Sequence, residues 1–265
     1  MQSILDAVQE SKADLGIIFD TDVDRAGAVL SDGTELNRNR IIAMMAAILL
    51  REHPGTTIVT DSITSTGLAA FIRKHGGVHH RFKRGYRNVI NESMRLNREG
   101  HDSQLAMETS GHGALKENYF LDDGAYLVTR LLIELARAKK EGYTLESLIA
   151  DLAEPAESKE FRMNILVPDF KAYGQKIIDE LNVYAASQPG WSVAPDNFEG
   201  VRVNLDKAHG DGWFLLRLSL HDPLIPLNIE SDSVGGVRQI AAELAPFLRP
   251  FDQLDTSALL AFAGC

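Results

Sequence analysis

Three acids at alternate positions, Asp20, Asp22 and Asp24, with Arg25 directly after them, form the stretch best equipped for chemistry. Carboxylates this close repel one another unless a cation sits among them. An all-oxygen donor set suits a hard cation such as Mg²⁺ or Ca²⁺. Mg²⁺ usually keeps positions open for water or a phosphate oxygen, so such a loop can grip a phosphate. The same residues also read as a polar turn after a strand, because Asp is common in turns. An EF-hand loop is excluded. It needs Gly sixth and Glu twelfth, and counting from Asp20 those places hold Arg25 and Ser31.

Three further groups suit a polar or anionic ligand. In Met107-Glu108-Thr109-Ser110-Gly111-His112, Glu108 and Ser110 can bond hydroxyls, and His112 titrates near neutral pH. On spacing alone, a Ser-Gly turn with an incidental exposed histidine is the simpler reading. Lys83 lies in a basic run from Arg81 to Arg87. That run is either a solvated charged face or, in an acidic chain, an anion-facing one. Arg217 and Ser219 end a strand-like stretch. A guanidinium forks onto phosphate, and a hydroxyl with loop amides completes a cradle.

The elements that must position these residues follow from periodicity. Leu15, Ile17, Ile18 and Phe19 form a short buried strand leading into the acids, with Ala28 to Leu30 as its hairpin partner. Asn37 is placed to cap a helix over 38–52 whose apolar residues cover more than one face. Strands at Thr57 to Thr60, Val78 to Phe82 and Leu105 to Glu108 alternate with helices at 65–75, 87–98 and 123–141, and a helix over 144–153 closes the unit. This alternation indicates an α/β fold, a mixed but mainly parallel sheet layered with helices. After Pro155 come a strand at 160–167, a helix at 170–181, strands near 199–205, 212–218 and 225–230, and a helix at 234–247. That order suggests a smaller α+β domain with an antiparallel sheet.

The 265 residues suffice for about two domains. A net charge of −10 argues against a nucleic-acid partner, though a local basic pocket can still oppose it. Cys265 is the only cysteine, so no disulfide framework exists and a reducing, cytoplasmic setting is expected. No apolar run reaches the ~18 residues that span a membrane. The first fourteen residues are mixed in charge and lack the pattern of a signal peptide.

With these stretches in view, the chain resembles the phosphohexomutase family, the phosphomannomutase/phosphoglucomutase group. The family's metal loop is written Gly-Asp-Gly-Asp-Arg after an apolar strand; here Thr21 and Val23 replace both glycines. Its sugar-recognition loop is Gly-Glu-x-Ser-Gly-His, with Met107 standing for the first Gly. Lys116-Glu117 and Phe120-Leu121-Asp122-Asp123-Gly124 continue the match. Its last-domain phosphate loop is Arg-x-Ser-Gly-Thr-Glu-Pro. Arg217, Ser219 and Pro223 match, while Leu220, His221 and Asp222 replace Gly, Thr and Glu.

The resemblance implies Mg²⁺ on Asp20, Asp22 and Asp24. It implies that Arg25 places the substrate or the moving phosphoryl group and that His112 transfers or positions a proton. Lys83, Glu108 and Ser110 would contact the sugar phosphate, and Arg217, Ser219 and His221 its non-reacting phosphate. The implied activity interconverts hexose 6-phosphate and hexose 1-phosphate, of mannose or glucose, through a phosphoserine and a bisphosphate intermediate. The family's serine loop, Thr-Ala-Ser-His-Asn-Pro, is absent from this sequence. The chain is therefore expected to hold a remnant of the second mutase domain (1–37), the third domain (38–155) and the C-terminal domain (156–265). Alone it is expected to be inactive, with the N-terminal domains of the full-length enzyme as its missing partners. The alternatives are a non-catalytic sugar-phosphate-binding protein derived from the same fold and a metal-binding interaction module.

Overall fold

A computed structural model, which describes residues 2–219 and 222–265, divides the chain into two units, Met1–Ala153 and Glu154–Cys265. In the first unit, α1 (Gln2–Ser11) lays Val8 against a hairpin of β1 (Leu15–Phe19) and β2 (Ala26–Leu30), which pair antiparallel; the short β3 (Glu35–Leu36) extends the sheet on the β2 side. Helix and hairpin meet at Gly16, where a Cβ would sit 2.4 Å from Val8 Cγ2.

α2 (Arg38–Glu52) is buried without a break from Ile41 to Leu50, as expected of a helix apolar on every side. Its expected side-chain cap does not form. Asn37 Nδ2 donates instead to Glu35 Oε2 at 2.9 Å, a charged acceptor two residues away.

Around α2 lies a four-stranded sheet of β4 (Thr57–Thr60), β5 (Val78–Arg81), β6 (Ser103–Met107) and β7 (Gly113–Leu115), in the order β5-β4-β6-β7. The first three are parallel and β7 runs antiparallel to β6. The connecting helices are α3 (Thr66–Lys74), α4 (Tyr86–Arg98) and α5 (Gly124–Glu141). Successive strand residues serve opposite faces. Ile58, Leu105 and Met107 join the core containing α2, α3 and α5, whereas Val59 and Ala106 pack with Val89, Ile90 and Leu96 of α4. Ser65 caps α3 by accepting from Leu68 N at 3.0 Å, and Asp123 caps α5 by accepting from Tyr126 N at 2.9 Å.

The helix expected over 144–153 is not there. Only one 3₁₀ turn forms, Glu146–Ile149. Asp151 pairs with Lys74 and His75, and the Ala153 carbonyl passes so close to Gly67 that a Cβ there would lie 2.0 Å from it. Those contacts draw the chain across α3 on a non-helical path.

The second unit carries β8 (Glu157–Asn164), α6 (Phe170–Ser187), β9 (Trp191–Val193), β10 (Val201–Leu205), β11 (Gly212–Leu216), β12 (Leu224–Ser231), α7 (Gly236–Leu248) and α8 (Ser257–Ala263). Its sheet, β8-β12-β11-β10-β9, is antiparallel throughout. One face, with Phe161, Met163, Val203, Phe214 and Leu227, packs on α6, α7 and α8. On the other, Arg202 lies 3.5 Å over the Trp213 ring, and Trp213 Nε1 donates to its cross-strand neighbour Glu230 at 3.0 Å. The chain thus joins a mixed, mainly parallel α/β layer structure to an α+β unit with an antiparallel sheet. β3, β7, β9 and α8 were not expected; each is too short to leave a periodic signal. No helix among the described residues is long and apolar enough to cross a membrane.

Candidate active site

The acids sit in the loop that joins β1 to β2. Asp20 N donates to Arg25 O at 3.4 Å, Arg25 N to Asp20 Oδ1 at 3.2 Å, and Arg25 Nε to Asp20 Oδ2 at 2.6 Å. The loop closes on itself through these bonds, and Val23 at its tip takes φ 65°. A β-branched residue in the left-handed region is strained. The family pattern has glycine at that place, so the backbone keeps the conformation glycine would favour although the residue has changed.

Oxygens of Asp20, Asp22 and Asp24 lie within 4.8 Å of one another. Asp24 Oδ1 is buried and accepts no hydrogen bond; Arg25 Nε is 3.7 Å away. Burial, together with the fields of Asp22, Asp20 and Asp122, raises the Asp24 pKa, with His112 opposing. Asp20 is held below the ordinary carboxylate range: burial works against its charge, but the bonds from Arg25 outweigh that. Three clustered oxygens with one orphaned lone pair are what a hard cation satisfies, so this donor set fits Mg²⁺.

A second loop follows β6, at the carboxyl end of the parallel strands where α/β sheets place ligands. Glu108 is 3 % exposed. Its Oε1 accepts from Gly85 N at 2.5 Å and its Oε2 from Ser110 Oγ at 3.1 Å. Burial and the field of Asp61 raise its pKa against those bonds. Ser110 is the exposed member of the pair. Between them Thr109 turns inward and gives both N–H (3.1 Å) and Oγ1 (2.7 Å) to the buried Asp61.

His112 closes the loop. Its Nδ1 is 2.7 Å from Asp122 Oδ2 and 3.6 Å from Asp24 Oδ2, and its ring stacks on Tyr86 with centroids 4.9 Å apart. Burial disfavours its charge, yet the Asp122 hydrogen bond and the fields of Asp122, Asp24 and Glu108 raise its pKa above the usual histidine value.

The two loops are stitched together. Arg25 and His112 pair as an antiparallel bridge, and Ala26 N donates to Gly111 O at 3.4 Å. Gly111 has φ 101°, and a Cβ there would lie 3.0 Å from Ala26 O. Beside this seam is an open cleft of about 250 Å³ lined by Ile18, Asp20, Arg25, Asn37, Arg38 and Ser110, among others. Lys83 is exposed on the segment after β5 that leads to Gly85, the donor to Glu108.

Asp20, Asp22, Asp24, Arg25, Glu108, Ser110 and His112 are thus brought together, whereas Lys83 is placed only on the neighbouring segment. The sequence-derived residues of the second unit are described within it. Arg217 is 9 % exposed, and its N–H bonds Pro226 O at 3.2 Å. Ser219 N donates to Leu224 O at 3.0 Å, and its Oγ accepts from Asp222 N at 3.3 Å. His221 lies outside the described residues. Asp61, Tyr86 and Asp122 escaped the sequence reading as parts of the site. Asp61 carried a signal, an acid directly after a β-branched strand, and Asp122 lay inside a matched stretch without a role of its own.

Residues 37–155 match the family model described as phosphoglucomutase/phosphomannomutase, alpha/beta/alpha domain III. A phosphomannomutase/phosphoglucomutase of Pseudomonas putida is 32 % identical over 242 residues, 91 % of this chain and 48 % of its own length. A phosphoglucomutase of Neisseria meningitidis is 29 % identical over 241 residues, with the same coverage. Residues 37–155 thus match the third domain of the phosphoglucomutase/phosphomannomutase family, and the similarity to its proteins runs over 91 % of the chain. A solved phosphoglucomutase/phosphomannomutase family protein from Burkholderia thailandensis superposes with a TM-score of 0.76 at 28 % identity, covering 96 % of this chain and 51 % of that one. The chain spans about half the length of the curated relatives it matches.

Proposed function

We propose that the protein is a phosphohexomutase of phosphomannomutase/phosphoglucomutase type, and that this chain supplies its metal loop, its sugar-reading loop and its distal phosphate site. The full protein interconverts hexose 6-phosphate and hexose 1-phosphate in the cytoplasm through a phosphoserine and a bisphosphate intermediate. The observation that supports this most is the seam at Arg25 and His112, which joins the loop of clustered aspartates to the loop that carries Glu108, Ser110 and His112.

Each residue has a part in this reading. Asp20, Asp22 and Asp24 hold Mg²⁺, which supplies charge neutralisation to the transferring phosphoryl group. Arg25 orients that group. Ser110, fixed by the buried Glu108, reads the sugar hydroxyls, and Lys83 faces the anion. His112 takes up or returns the proton of the reacting hydroxyl. Arg217, Ser219 and His221 hold the phosphate that does not react. The domain division is 1–37, 38–155 and 156–265, with the phosphoserine contributed by further N-terminal domains.

Calorimetric titration tests this. The chain should bind Mg²⁺ and lose it in Asp24→Asn. It should bind mannose 6-phosphate or glucose 6-phosphate weakly with Mg²⁺ present and lose that in Arg217→Ala, while showing no turnover. Mutase turnover by the pure chain would contradict the division of labour. Binding that never becomes turnover, even with the N-terminal domains of the full-length protein supplied, would favour the non-catalytic sugar-phosphate binder instead.

A further inference from the structure

His112 is held from several sides, and one contact decides its chemistry. A hydrogen bond forms at 2.7 Å and not at 3.6 Å, so Nδ1 engages Asp122 rather than Asp24. Asp122 is itself anchored. Its Oδ1 accepts from Gly113 N at 3.1 Å, and the residue bridges Ala114 across the short β7 edge. The segment after it is anchored too, since Gly124 N donates to Val23 O at 3.1 Å, beside the acidic loop. An ionised carboxylate can only accept hydrogen bonds, so the ring nitrogen facing it carries the hydrogen. Tyr86 stacked on the ring face resists a flip about Cβ–Cγ that would put Cδ2 where Nδ1 faces Asp122. Nε2 makes no hydrogen bond among the described residues.

We propose that Asp122 is a positioning residue: it holds His112 in the Nδ1–H tautomer and leaves the Nε2 lone pair as the atom that exchanges a proton with a substrate hydroxyl. The second half rests on the reading of His112 as the proton-transfer group; the first half does not. When Nε2 takes the hydroxyl proton the ring becomes an imidazolium, and Asp122 stabilises that charge through the same bond.

Asp122→Asn separates the possibilities with little structural change. The asparagine oxygen can stay on Gly113 N while its NH₂ turns to Nδ1. A donor there forces Nδ1 to accept, which moves the ring hydrogen to Nε2. Long-range ¹H–¹⁵N correlation spectra of the imidazole rings report the tautomer directly. They are recorded on this chain at alkaline pH, where the ring is neutral, with His112 assigned by its loss in His112→Gln. The wild type should show the Nδ1–H pattern and Asp122→Asn the Nε2–H pattern. An Nε2–H wild type, or a variant spectrum that does not move, overturns the positioning role. The wild-type spectrum is decisive even if the variant folds poorly. In the full-length protein, Asp122→Asn should lower kcat by roughly 10²–10⁴-fold, the usual worth of a positioned acid–base group, and leave KM nearly unchanged. A moved tautomer with unchanged kcat would leave Asp122 holding the ring but remove His112 from proton transfer.

Discussion

The two loops that meet at the seam are built on opposite principles. In the Glu108–His112 loop the polar groups find partners inside the protein: Glu108 with Gly85 and Ser110, Thr109 with Asp61, His112 with Asp122. In the Asp20–Arg25 loop the backbone is strained at Val23, and Asp24 Oδ1 is buried without a donor. The first loop is preorganised and has little to gain on binding. The second carries a deficit that a cation would relieve. On the proposed function, recognition that must be rigid and a charge supplied by a cation would occupy adjacent segments.

The sharpest way to break this contrast is to unsatisfy the satisfied loop. Thr109→Val keeps the shape but removes the Oγ1 donor from the buried Asp61 carboxylate. The expected loss is about 2 kcal/mol, as for a hydrogen bond to a buried charge. Urea unfolding should show a lower midpoint at unchanged m. An unchanged midpoint would mean that Asp61 is satisfied by its other neighbours and that the loop is less tightly held than its geometry implies.

Much of this was legible beforehand, for reasons that also explain the rest. β4 came out at the expected bounds because its four residues, Thr57 to Thr60, are all β-branched and follow the Pro54-Gly55 stop. α2 was legible because burial on all sides needs a solid apolar block. The alternating acids were legible because only a cation or a turn tolerates them. The seam between the loops was not. It depends on backbone pairing between Arg25 and His112, residues far apart in sequence, and on glycines whose value lies in what they admit. Asn37 misled because capping propensity says nothing about the carboxylate of Glu35 nearby. The stretch over 144–153 misled because helical periodicity cannot foresee that Asp151 binds Lys74 and His75.

A smaller effect of opposite sign is expected in the strained loop. Val23→Gly removes a β-branched side chain from φ 65° and should stabilise the chain by about 1 kcal/mol, less what glycine loses in unfolded-state entropy. Thermal melts of the two forms measure it. Mg²⁺ affinity should survive, because all three aspartates remain. A loss of stability would show that the valine side chain makes contacts that outweigh the strain, and the contrast between the loops would then rest on Asp24 alone.

The finest discrimination comes from pH. Glu108 is pushed above its ordinary value of 4.5, first by burial and then by Asp61. In the window from 4.5 up to its folded pKa, the folded chain holds a proton on Glu108 that the unfolded chain has released. Stability attributable to Glu108 therefore falls as pH rises through that window and stays lower above it. Glu108→Gln removes the titration, so the variant should gain on the wild type as pH rises, with the change confined to the acid side. Urea midpoints of both proteins across that range test the sign. If the wild type instead gains on the variant with rising pH, the bonds from Gly85 and Ser110 outweigh desolvation, and Glu108 is held as a fully stabilised anion. The preorganised loop would then carry a standing negative charge toward the acidic one, and a cation between them would have two loops to neutralise rather than one.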